Sequence, residues 1–77
     1  MNRITVDPRV AHGKPVIAGT RVMVYQVLEL LETSKTFDEI IADYFPDITN
    51  EDIRACIRFA KELIRNEEIH LLEKEVL

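Results

Sequence analysis

The sequence has no tryptophan, one cysteine, two glycines and two histidines, and each scarcity excludes a class of protein. Cys56 stands alone, so no intramolecular disulfide can form, and the stapled framework of small secreted domains is out. Gly13 and Gly19 lie six residues apart and cannot make a glycine-rich phosphate loop. His12 and His70 sit in stretches that nothing places together, which makes a poor metal site with a single cysteine. No apolar run approaches the ~20 residues of a membrane-spanning helix. Arg3, Asp7 and Arg9 interrupt any signal-peptide apolar segment, so the expectation is a cytoplasmic protein with no membrane contact. Cys56 lies in an apolar helical pattern, where a small buried side chain is the simplest role.

What remains is ordinary globular material, 47% hydrophobic and 31% charged in 77 residues, enough for one domain. A chain this short buries only about 60–65% of its unfolded surface. That favours completion by a second copy, as a homodimer, over a self-sufficient three-helix core. The net charge of -4 is uneven. Residues 1–22 carry Arg3, Arg9, Lys14 and Arg21 against Asp7, whereas the remainder is acidic. An acidic total argues against generic coating of nucleic acid but leaves room for a local basic surface.

Along the chain, the β-branched Ile4, Thr5 and Val6 predict a strand, ended by Asp7-Pro8. Val16-Ile17 predicts a second, between turns at Gly13-Lys14-Pro15 and Ala18-Gly19-Thr20. From about residue 23 the period turns helical, with Val24, Val27, Leu28 and Leu31 on one face. Ser34-Lys35 breaks it. Thr36 and Glu39 form a capping box that opens a second helix, with Ile40, Ile41 and Tyr44 facing inward and Phe45 near its end. Pro46 stops that helix. Thr49 caps a third, with Glu51 and Asp52 at its positive end. Ile53, Cys56, Ile57, Ala60, Leu63 and Ile64 are its expected core face. The connection between the last two helices is long for the tightest helix-turn-helix units. Periodicity therefore leaves both a helix-turn-helix-like unit and a plain three-helix bundle open.

On a helical wheel centred on Ile53, Arg54, Arg58, Lys61 and Arg65 fall at about 80–140°, in one stripe. Such a stripe suits successive phosphates or base edges, and equally suits a solvated face, with Glu62 in reach of Arg58. Continued as a helix, Ile69, Leu72 and Val76 land on the same side. Aliphatic side chains displayed there gain a lone monomer nothing. We therefore divide the chain into a domain over residues 1–65 and a docking or dimerisation segment over residues 66–77. The alternative is a tail that folds back on its own core. The acidic pairs Asp38/Glu39 and Glu51/Asp52 serve helix starts better than acid catalysis. Asp43 and Asp47 alone are too few for a Mg²⁺ nuclease site. No catalytic activity, cofactor or small-molecule substrate is expected.

The stretches "ITVDPRVAHGKPVIAGTRVMVYQVLELL" and "TFDEIIADYFPDITNEDIRACIRFA" resemble the domain-of-unknown-function family 433. The most specific matches are Asp7-Pro8, residues 13–17 from Gly13 to Ile17, and Gly19-Thr20-Arg21-Val22. The resemblance implies a mainly α fold: a homeodomain-like helix-turn-helix domain of three helices, preceded by a short β-hairpin, here with a C-terminal helical extension. It also implies VapB-type antitoxin behaviour, namely dimerisation, binding and neutralising a PIN-like toxin nuclease, and repression through operator DNA. No catalytic residues come with it. Two positions depart from the family pattern: Met23 stands where proline is frequent and Ser34 where glycine is usual. Arg21 offers five donors in a rigid fork, for an anchor within the fold or for a ligand. Lys14 is the better outward contact and joins the stripe as a candidate for nucleic acid.

Overall fold

The computed structural model describes residues 3–66. Strand β1 (Ile4–Thr5) pairs antiparallel with β2 (Val16–Ile17), with Ile4 opposite Ile17 and Thr5 opposite Val16. Helix α1 (Val24–Glu32) follows, then α2 (Phe37–Glu39), which runs straight into a π-helical turn (Ile40–Tyr44), and α3 (Asn50–Asn66). The domain is thus mainly helical, three helices preceded by a β-hairpin, as expected. The expected C-terminal helical extension lies outside the described residues.

Strand β1 is one residue shorter than its β-branched run: Val6 leaves the ladder and is 59% exposed. The hairpin connection is built from left-handed backbone. Ala11, His12 and Gly13 have φ of 52°, 57° and 82°, costly for the two residues that carry a Cβ. The next turn is simpler. Thr20 N–H donates to the Ile17 carbonyl at 3.0 Å with Gly19 at φ 79°, the pattern of a type II turn that needs glycine in its third place. The Thr20 hydroxyl donates to the Ile17 carbonyl at 2.8 Å and accepts from Val22 N–H at 3.0 Å. The turn is stitched by its own side chain.

The helix signals are local and hold up. Thr36 Oγ1 accepts from Glu39 N–H at 3.1 Å, and Glu39 Oε1 accepts from Thr36 N–H at 2.8 Å. That second bond, aided by the hydroxyl and by Lys35, holds the Glu39 carboxyl below its ordinary pKa. Thr49 and Asp52 repeat the reciprocal arrangement at α3, at 3.1 and 3.0 Å. Helix α1 ends in a Schellman motif: Ser34 N–H donates to Leu31 and Lys35 N–H to Leu30, with Ser34 itself at φ 72°, where glycine sits most easily.

The core joins Ile17, Val24, Val27, Ile40, Ile48, Ile53 and Cys56, all buried. Leu28, Leu31, Phe37, Ile41, Phe45 and Phe59 pack around them. Tyr44 does not face inward as expected and is 45% exposed. The π turn is the cause. Phe45 N–H donates to the Ile40 carbonyl at 2.8 Å, an i→i+5 bond, so Phe45 takes the place under Ile40 that an α-helix would give to Tyr44. Ile48, set between the polar Asp47 and Thr49, is 3% exposed and seals the connection to α3.

Candidate nucleic-acid and partner interface

Helix α3 positions every candidate on the basic stripe. Its fully buried residues are Ile53, Ala55 and Cys56, and Phe59 packs half-buried against the same core. Ile53 therefore marks one border of the buried arc, not its centre. The expected core face is wrong at three positions: Ile57, Leu63 and Ile64 are 41%, 52% and 59% exposed. Small residues decide this. Ala55 and Cys56 let α3 approach the rest of the fold closely, with Ile4 and Phe59 beside Ala55, and the helix settles on that side, which turns Ile57 and Ile64 outward. Leu63 lies on the buried side of the helix and is exposed because the core contacts of α3 end at Phe59.

With the roll of α3 fixed, Arg54, Arg58, Lys61 and Arg65 all lie exposed, about opposite the buried arc at 100° per residue. Arg54, Arg58 and Lys61 come together around one shallow depression with Phe37 and Ile57. Arg54 lies over the Phe37 ring at 5.8 Å from its centre, which holds it at the lip of α2. Glu62 pairs with Arg65 at 3.3 Å, not with Arg58. Among the described residues, the ion pairs are Arg3–Asp52, Arg9–Asp7 and Arg65–Glu62, so Arg58 and Lys61 point their charge outward without a carboxylate.

Lys14 is exposed but does not join this stripe. It stands at the rim of an apolar groove of about 390 Å³ between α1 and α3, whose walls include Tyr25, Leu28, Phe59, Ala60 and Leu63. Gly13 and Gly19 supply positive φ at the two turns, and only Pro8 Cα, at 3.7 Å, comes near a Cβ placed on Gly13. Arg21 is exposed and faces a cleft of about 880 Å³. The cleft lies between the Gly19-Thr20-Arg21 turn and the Tyr44-Phe45-Pro46-Asp47 end of the second helix. Ile69, Leu72 and Val76 lie outside the described residues, as does all of the 66–77 segment except Asn66.

Two features escaped the sequence reading. Arg3 Nη1 meets Asp52 Oδ1 at 2.9 Å and ties the first strand to the start of α3, a contact between residues 49 apart that no local pattern announces. Tyr25, 52% exposed on α1, faces the groove beside Leu63. The chemistry of Cys56 is quiet: burial, with Asp52 adding to it, pushes its thiol up to about 11, so at neutral pH it is a neutral side chain and a poor nucleophile. Among the described residues no three His, Cys, Asp or Glu side chains gather as a metal site, and no helix is long and apolar enough to cross a membrane.

The model of a protein family described as "Protein of unknown function (DUF433)" matches residues 4–60. No curated protein and no solved structure matches.

Proposed function

The chain belongs to the DUF433 family, and from that premise we propose that it is a non-enzymatic, DNA-binding regulator of the antitoxin type that also binds and neutralises a PIN-like toxin nuclease. The observation that carries the DNA half is the outward row of Arg54, Arg58 and Lys61 around one depression on α3, with Arg65 the next basic residue along the same helix. A third helix that buries one side and presents cations on the other suits docking along phosphates or into a major groove. The acidic total does not oppose this, because much of it lies off the basic row, at Asp38 and Glu39 on α2 and in residues 67–77, and a homodimer would present the basic row twice.

The toxin-binding half rests on the family resemblance; the exposed apolar groove between α1 and α3 is a second surface of the same domain. That groove also favours a second reading, a protein-interaction module without DNA binding. The two separate experimentally. Labelled DNA from upstream of its own gene is titrated with the protein in parallel with scrambled DNA. Co-expression with a PIN-like nuclease encoded beside it tests neutralisation by restored growth and by co-purification. Preference for the upstream DNA supports the first reading. No DNA binding at low salt, with a tight nuclease complex, replaces it by the second. The proposed location, with DNA and a PIN-like nuclease as partners, is cytoplasmic.

A further inference from the structure

The apolar groove between α1 and α3 has an occupant written in the same chain. We infer that residues 67–77 of a second copy fill it, reciprocally, so that two grooves and two tails close a symmetric dimer. This deepens the self-association within the function proposed above. The groove is walled by Tyr25, Leu28, Phe59, Ala60 and Leu63, and Tyr25 and Leu63 leave more than half their surface to solvent. With the neighbouring Ile64, 59% exposed, they make an apolar edge of the kind that marks an interaction site on a small domain.

The tail matches it in two respects. Ile69, Leu72 and Val76 recur at the spacing by which a helix lays an apolar stripe into a groove. The segment is also acidic, with Glu67, Glu68, Glu73 and Glu75 against Lys74, and the groove carries Lys14 at its rim. Direction selects the second copy over the chain's own tail. Helix α3 carries the backbone past Leu63 to Asn66, so a tail returning to its own groove must reverse at once. After Asn66 the sequence holds neither glycine nor proline to turn it. In the inferred dimer each tail enters the partner's groove and the partner's tail returns the contact, the closed arrangement expected of a two-fold dimer.

The test is the mass of the full chain in solution, without DNA or any other protein, by light scattering over a range of concentrations. The groove variants are Leu63→Glu and Tyr25→Lys, both at exposed positions that the fold tolerates, and the tail variant is Leu72→Glu. Circular dichroism checks that each is folded. The expected result is a dimer for the unaltered chain and a twofold fall in mass for all three variants. A monomeric unaltered chain overturns the inference and fits a tail folded on its own groove. A dimer broken by the groove variants but not by Leu72→Glu also overturns it, since the grooves then meet each other directly. A dimer broken only by Leu72→Glu places the tail on another surface and overturns it too. Each of these failures leaves the DNA-binding reading standing, because no DNA enters the measurement.

Discussion

Helix α3 has two exposed surfaces of opposite character. Its outer face carries Arg54, Arg58 and Lys61 around one depression, while its edge towards α1 carries Ala60 and Leu63 into an apolar groove. Both exist because the helix is rolled onto Ala55 and Cys56. Had Ile57 and Ile64 been buried instead, Leu63 would have turned away from α1 and the basic row would have stood at the margin of the core. One packing choice, made by two small residues, thus sets two surfaces suited to different partners.

The most severe way to break both at once is to remove what they stand on. Ile53 is fully buried at the border of the two arcs, and Ile53→Ala should cost about 2–5 kcal/mol, read from a thermal or urea melt, with DNA binding and self-association lost together. A loss below about 1 kcal/mol would mean that α3 is not seated as described.

Smaller effects belong to the ends of the helices. Thr49→Ala removes the hydroxyl that accepts from Asp52 N–H and should cost about 1 kcal/mol, fraying α3 near Arg54 before it reaches Leu63. The opposite sign is expected at Ser34, whose φ of 72° suits glycine. Ser34→Gly should stabilise by about 1 kcal/mol and leave both surfaces unchanged, since Ser34 belongs to neither.

At neutral pH the smallest effect belongs to Cys56, whose contribution shows only as a slope at alkaline pH. The folded Cys56 thiol is raised from 9.0 to about 11, because burial favours its neutral form. Its contribution is therefore complete below pH 9 and lost as pH rises towards 11. A pH series of melts should show stability falling over that window, and Cys56→Ala should flatten the fall. Thiol labelling gives an independent check: Cys56 should react at the rate of unfolding and no faster. A depressed carboxylate acts at the other end. Glu39, held down by Thr36 N–H, gives stability that is present at neutral pH and disappears as pH drops through the acid range.

How much of this was legible in the sequence depends on range. The Thr36/Glu39 box, the Thr49 cap and the Gly19 turn are bonds between residues three apart or closer, and the residue types alone specify them. The basic row was legible as a spacing, although its pairing was read with the wrong partner: Glu62 reaches Arg65, where the acid precedes the cation along the helix, the favoured order, and not Arg58. The roll of α3 was not legible. Ile53, Ile57, Ala60 and Ile64 make one apolar arc and Ile53, Cys56 and Phe59 another, and only packing against β1 and α1 chooses between them. The π turn that exposes Tyr44 was equally hidden, because its cause is where Phe45 finds room under Ile40. For the candidate site, the sequence placed Arg54, Arg58, Lys61 and Arg65 on one helix and offered Lys14 as a separate outward contact; the structure holds Lys14 beside the apolar groove, away from that row.

In the proposed function the outer face of α3 meets DNA through Arg58 and Lys61, which make no ion pair among the described residues. The most direct test is the salt dependence of binding to the DNA upstream of its own gene, compared between the unaltered chain and Arg58→Ala. Log affinity should fall linearly with log salt, and Arg58→Ala should weaken binding and lower the slope by about 1 for each phosphate contact removed. Binding that is absent at low salt, or whose slope is untouched by Arg58→Ala, would contradict it.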